Sequence, residues 1–180
     1  MSRSAVFLDR DGVLNEVTAG ADGIPRPPAN VEAMRICPDA VGACRALREA
    51  GYLLIMVTNQ PDVSRGTQQR DVVDAINSAV GERLGLDDVM CCFHDDADEC
   101  SCRKPKAGLL LEAAERWTID LPASFLVGDR WKDVAAGAEA GCQTALVSRP
   151  YSVHERAAPD FTAASLGEAA DWILGLRTEG

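Results

Sequence analysis

Asp9 and Asp11 stand on either side of one arginine in FLDRDG, directly after a short apolar run. Two carboxylates placed this way at the end of a strand can bring oxygen donors to one hard cation. Asp129, in the later run LVGDR, offers a third carboxylate. Oxygen-rich, thiol-free ligation suits Mg2+, which keeps several waters and binds substrate phosphate alongside carboxylates. Taken alone, an Asp-x-Asp pair is equally at home in a solvated acidic turn, so its weight comes from what accompanies it. A second chemical group is Cys92, His94, Cys100 and Cys102, spaced C-x-H-x5-C-x-C in CFHDDADECSC. Three thiolates and one imidazole would fill a tetrahedral ion completely, which suits structural Zn2+ and not a zinc-activated water. In an extended segment residues two apart point the same way, so each pair can grip one side of the ion. Cys91 would then face the opposite side, toward the core; a reduced cysteine-rich loop without metal is the alternative.

These residues need a frame. Short, nearly continuous apolar runs at 5–9, 52–58, 89–94, 124–129 and 144–148 read as strands covered on both faces. Helical patterns lie between and after them, at 39–50, 67–84, 106–117, 131–140 and 165–176, with Gly51, Gly85 and Gly141 where C-caps are expected. Strand alternating with helix implies an α/β domain: a doubly wound, mainly parallel sheet with helices on both faces. Ligands of such sheets bind beyond the carboxyl ends of the strands, near the point where strand order reverses. Asp9 and Asp11, then Thr58-Asn59-Gln60, then Asp129 all follow strands and so meet at that edge. The Pro/Gly segment 20–30 is too short to be an inserted domain, and the final residues RTEG read as a frayed tail.

The 180 residues are expected to form one domain. No apolar run approaches the roughly 18 residues of a membrane span, and MSRSAVFLDRDG lacks the parts of a secretory signal, so a cytoplasmic protein is expected. With 28 acidic and 18 basic side chains the formal net charge is −10, a field that repels nucleic acid and anionic lipid. An anionic substrate must therefore meet a local basic site. Arg103 and Lys104 follow the last metal-ligating cysteine, Lys106 adds charge, and Arg65 sits in the loop VSRGT. Arg103 can make a forked contact to phosphate. Cys37, Cys44 and Cys142 read as buried small hydrophobes, and His154 as a surface residue.

In this arrangement the chain resembles the haloacid dehalogenase-like phosphohydrolases over nearly its whole length. The family's first motif is similar to Asp9-Arg10-Asp11-Gly12, the second to Thr58 in VTNQ, the motif lysine to Lys104 in CRKPK, and the last to Asp129 with Asp133 in GDRWKD. The resemblance implies a phosphatase working through an aspartyl phosphate on Asp9, with Asp11 as general acid and base. It also implies Mg2+ held by Asp9, the carbonyl of Asp11 and Asp129, phosphoryl oxygens held by Thr58 and the Asn59 amide, and Lys104 as the charge at the transition state. Asp133 would orient Lys104 or a metal-bound water.

The Cys/His loop, at 91–103, marks the branch holding histidinol-phosphate phosphatase and the D-glycero-D-manno-heptose 1,7-bisphosphate phosphatases. These are capless members with Zn2+ in this loop. Here the clamp would position Arg103 and Lys104, and Arg65 would reach the substrate. Five residues between His94 and Cys100 match the short loop of the histidinol enzymes, whereas the heptose enzymes usually carry a longer one. The chain, however, shows no dehydratase domain of the kind often fused to the former. The expected partner is a small phosphorylated metabolite, a sugar phosphate of the heptose type ahead of histidinol phosphate, with no nucleic acid or membrane and a monomeric state. A polynucleotide 3′-phosphatase and a catalytically silent zinc-stabilised binding module are the remaining alternatives.

Overall fold

A computed structural model describes residues 2–19, 23–152 and 157–178. His154 lies outside the described residues. Six strands form one parallel sheet in the order β5-β4-β1-β6-β7-β8: β1 (Ala5–Leu8), β4 (Leu53–Asn59), β5 (Asp88–Cys92), β6 (Phe125–Gly128), β7 (Gln143–Val147) and β8 (Phe161–Ala163). A small antiparallel pair, β2 (Thr18–Ala19) and β3 (Pro25–Arg26), occupies the loop after β1. Five helices connect and follow the strands: α1 (Ala40–Glu49), α2 (Arg70–Leu84), α3 (Gly108–Trp117), α4 (Trp131–Ala140) and α5 (Leu166–Thr178).

β1 is apolar at every position, and β4 from Leu53 to Val57, because both faces are covered. Val6 and Leu8 belong to a core shared with α1, α2 and α5, while Ala5 and Phe7 belong to a second core under α3 and α4. The period-two alternation of side chains thus divides one run of four residues between two cores. α1 shows the complementary pattern, burying Ala40, Ala43, Cys44 and Leu47 at helical spacing. Cys37, Cys44 and Cys142 are buried, as the sequence implies.

Three boundaries differ from the sequence reading. The strand expected over 89–94 ends at Cys92, so His94 lies beyond the ladder. The helix expected from 67 begins at Arg70, because Thr67 and Gln68 bond back to Asp62 in a tight turn. α5 continues to Thr178, into the segment read as a tail. β8 was not expected; it pairs only with β7, at the sheet's edge. Cys91, expected in the core, is only half-buried: its thiol bonds Asn77 of α2, and burial pushes it up to about 12.

Strand order reverses at β1. It pairs with β4 on one side and β6 on the other, and the chain leaves both β1 and β6 at the same edge. That edge is the topological switch point where open α/β sheets bind ligands.

Candidate active site

Lys104 is the hub of this edge. Its ammonium, 2% exposed, donates to Asp9 Oδ1 at 2.7 Å, to Val57 O at 2.8 Å and pairs with Asp133 Oδ1 at 2.5 Å, which uses all three of its donors. Burial favours the neutral amine, but Asp133 and Asp9 together hold the Lys104 pKa above its ordinary value. The peptide of Lys104 is fixed as firmly as its side chain. Asn59 Nδ2 donates to Lys104 O at 3.0 Å and Asn59 Oδ1 accepts from Lys104 N at 3.1 Å. The end of β4 therefore grips the residue that follows the Cys/His loop. Asp133 reaches Lys104 because it also closes the start of α4, accepting from Arg130 N at 3.0 Å. Gly128 permits this, since a Cβ there would lie 2.1 Å from Asp133 Cβ.

Asp9, Asp129 and Asp133 present oxygens within 4.8 Å of one another, and all three are buried. Three carboxylates against one ammonium leave an excess of negative charge. The result appears in their acidity: burial, then the neighbouring carboxylates, raise Asp9 well above the usual carboxylate range against the pull of Lys104. Burial and Asp133 likewise lift Asp129 to about 6. Asp129 Oδ1 is buried and has no hydrogen-bond partner among the described residues. Such an atom is costly unless something binds it. A divalent, oxygen-seeking cation fits this donor set in both charge and chemistry. The Asp129→Asn protein, free of Mg2+ but loaded with Zn2+, is accordingly expected to be more stable than the parent by on the order of 1–3 kcal/mol in urea unfolding at neutral pH. A variant less stable than the parent would refute the excess-charge argument.

Asp11 is held apart from that cluster. Its two oxygens accept from Arg10 Nε at 3.2 Å and Nη2 at 2.9 Å, from Asn15 Nδ2 at 3.0 Å and from Gln60 Nε2 at 2.8 Å. Arg10, fully buried, is itself braced by Asn77 Oδ1 at 2.7 Å. Gln60 Nε2 also donates to Thr58 Oγ1 at 2.9 Å. Thr58 thus accepts from its neighbour and keeps its own hydroxyl proton for another partner. Asn15 and Asn77 were not singled out in the sequence, and Arg10 and Gln60 were named only as members of the DRDG and TNQ runs, with no role of their own. For Gln60 the signal was present, since it ends the same TNQ run as Thr58.

The Cys/His loop closes on itself. Cys102 Sγ lies 3.2 Å from Cys92 Sγ and 3.5 Å from Cys100 Sγ, Cys92 and Cys100 are 3.8 Å apart, and His94 Nδ1 is 3.6 Å from Cys92 and 3.3 Å from Cys102. No pair is at disulfide length. A tetrahedral Zn2+ with bonds of about 2.3 Å to sulfur and 2.0 Å to nitrogen would hold its ligands about 3.5–3.8 Å apart, and the separations here, from 3.2 to 3.8 Å, lie near that spacing. Lys106 belongs to the loop as well, donating to the carbonyls of Glu99 at 3.1 Å and Cys100 at 2.6 Å.

Arg65 and Arg103 were expected to face a substrate, and in this structure both are engaged by the acidic residues of the same loop. Arg65 donates to both oxygens of Asp95 at 2.7 and 2.6 Å, while Arg103 Nε donates to Asp96 at 2.8 Å and its Nη1 to His94 O at 3.2 Å. Lys132 Nζ lies 3.4 Å from Asp96. Arg65, Arg103 and Lys132, the last in the first turn of α4, therefore gather on two carboxylates of the Cys/His loop. Between β2–β3 and the loop after β7 lies a cavity of about 770 Å³, lined by Gly12, Glu16, Cys37, Asp39, Arg149 and Tyr151 among others. It borders the first motif at Gly12.

Comparison with known proteins agrees with this geometry. A match to the haloacid dehalogenase-like hydrolase family covers residues 24–141. The chain is 31% identical over 179 residues to the D-glycero-beta-D-manno-heptose-1,7-bisphosphate 7-phosphatase of Yersinia pestis, covering 91% of this chain and 92% of that one. To the protein of the same name from Rhodopseudomonas palustris it is 36% identical over 153 residues, covering 77% and 80%. The fold is similar to that of D,D-heptose 1,7-bisphosphate phosphatase from B. bronchiseptica, solved with magnesium and phosphate. The TM-score is 0.82 and the identity 27%, with 96% of this chain and 99% of that one covered.

Proposed function

Because the chain belongs to the haloacid dehalogenase-like hydrolases, we propose that it is a Mg2+-dependent phosphomonoesterase whose substrate is a heptose 1,7-bisphosphate. The observation that carries the reading is the Lys104 ammonium paired with Asp9 and Asp133 beside Asp129, whose buried Oδ1 has no partner among the described residues. That cluster gives a nucleophile, a charge to draw phosphoryl oxygens in, and a carboxylate surplus for a cation.

In this reading Asp9 attacks phosphorus in line, forming an aspartyl phosphate as the ester P–O bond breaks. Asp11 gives a proton to the departing alcohol and later takes one from the water that cleaves the intermediate. The Thr58 hydroxyl and the Asn59 amide hold the phosphoryl oxygens, while Lys104 supplies positive charge where negative charge spreads in the transition state. Mg2+, when bound by Asp9, the Asp11 carbonyl and Asp129, supplies neutralisation between two anions that would otherwise repel. Zn2+ on Cys92, His94, Cys100 and Cys102 has a structural role, holding Lys104 from behind. Arg103 and Arg65 would exchange their loop carboxylates for the substrate's second phosphate.

The names of the curated relatives support the heptose substrate. Histidinol phosphate is favoured by one observation, the five-residue interval from His94 to Cys100. The reading also includes a monomer of one domain in the cytoplasm, in keeping with the net charge of −10 and with the lack of a membrane-crossing helix among the described residues. The test is phosphate release with and without Mg2+ from both anomers of heptose 1,7-bisphosphate, histidinol phosphate, simple sugar phosphates and a 3′-phosphorylated oligonucleotide. A heptose bisphosphate is expected to exceed histidinol phosphate in kcat/KM by about 100-fold or more, since a lost charged contact costs about 3 kcal/mol. The reverse order would transfer the assignment to histidinol phosphate. No release from any compound by folded, Zn2+-loaded protein would favour a binding module.

A further inference from the structure

The loop after β7 makes contacts that the reaction scheme leaves unused. Tyr151 donates its hydroxyl to Asp129 Oδ2 at 2.7 Å, and Ser152 Oγ donates to the main-chain oxygen of Asp129 at 2.6 Å. Arg149 ties the same loop to the first motif, donating to Gly12 O from Nε at 3.0 Å and from Nη2 at 2.7 Å. Its own amide donates to Ser152 Oγ at 3.0 Å. Gly12, at φ +89°, has no room for a side chain, because a Cβ would lie 2.2 Å from Asp129 Oδ2 and 2.5 Å from the Tyr151 hydroxyl. The Arg130 guanidinium sits 5.2 Å from the Tyr151 ring centroid. First motif, last motif and this loop are therefore packed together around one carboxylate.

From this arrangement we infer that Tyr151 is a positioning residue for the cation site. By holding Asp129 Oδ2 it fixes the carboxylate's rotation, so that the buried Oδ1, which has no partner among the described residues, stays free for a divalent cation. A phenol suits this task better than a lysine or arginine would. It donates one hydrogen bond to the ionised carboxylate but brings no positive charge to compete with the cation. Groups that orient metal-ligating carboxylates in this manner carry a factor of about 10–100 in metal affinity or activity. The inference rests on the reading of Asp9 and Asp129 as Mg2+ ligands.

The experiment is a titration of Mn2+ into Zn2+-loaded, Mg2+-free protein, followed by the electron paramagnetic resonance signal of free Mn2+. Tyr151→Phe is expected to weaken binding about tenfold or more. The Mg2+ concentration giving half-maximal turnover should rise by the same factor, with kcat at saturating Mg2+ within about threefold of the parent. Ser152→Ala, which loosens the loop without touching the phenol, should weaken Mn2+ by about threefold or more and serves if Tyr151→Phe fails to fold. Mn2+ binding as tight as the parent's in either folded variant overturns the inference, as does a fall in kcat that added Mg2+ does not restore. Asp129→Asn separates the two levels: tight Mn2+ binding there would remove the cation reading itself, whereas weak binding there with an unaffected Tyr151→Phe would remove only the role of Tyr151.

Discussion

With Asp9 replaced by Asn, turnover of any phosphomonoester is expected to fall by on the order of 10⁴-fold or more, with the fold and Zn2+ content unchanged. The substitution keeps the shape of the side chain and removes only its nucleophilic oxygen. Lys104 retains two of its three partners, Val57 O at 2.8 Å and Asp133 at 2.5 Å, so the hub does not collapse. The change also removes a buried charge whose burial and neighbouring carboxylates already raise the Asp9 pKa, so the metal-free protein loses no stability through it. Initial rates and acid-quenched single turnovers provide the check, the parent accumulating a phosphoprotein that the variant does not. A variant that kept more than a few per cent of the parent's rate would place the nucleophile elsewhere.

The second large effect concerns the clamp. Stripping Zn2+, or replacing Cys102 by Ser, should reduce turnover by on the order of 10²-fold or more, and saturating Mg2+ should not restore it. Structural Zn2+ sites contribute about 10–16 kcal/mol of binding free energy, comparable with the whole stability of a domain. Cys102 is two residues from Lys104, whose ammonium must stay within 2.5–2.8 Å of its partners. A displacement of about 1 Å at a reacting centre can cost 10²-fold. Asn59 would still hold the Lys104 peptide from β4, so the sheet should persist while the loop loses its order. Zinc content against specific activity across a chelation series, with far-ultraviolet circular dichroism alongside, reads both effects. Full activity in Zn2+-free protein would reduce the clamp to decoration.

Much of the site could be read from the sequence because its parts lie at strand ends, and strands buried on both faces announce themselves as apolar runs. Asp9, Thr58 and Asp129 needed only that rule to be placed at one edge. β8 escaped notice because Phe161–Ala163 is three residues long with a half-exposed pattern, too short for any period to show. The partners of Arg65 and Arg103 escaped for a different reason. The run Asp95-Asp96 is visible in the sequence, but which cations it pairs with depends on how the clamp folds back. Tyr151 was the least legible, since its loop has no periodicity and its partner Asp129 lies 22 residues away.

The position of β1 carries a consequence for synthesis. It precedes the other five strands of the sheet in the chain, yet it lies at the centre of the sheet, between β4 and β6. Its fourth residue and Asp9 cannot meet their final neighbours until Phe125–Gly128 has been made. Until then a fully apolar segment waits with the edge that will meet β6 open, the condition that invites premature pairing with other chains. The acidic residue that ends it and the buried arginine beside it are then its nearest gatekeepers. The charges later enclosed at the heart of the molecule would first serve to keep the nascent chain apart from its neighbours.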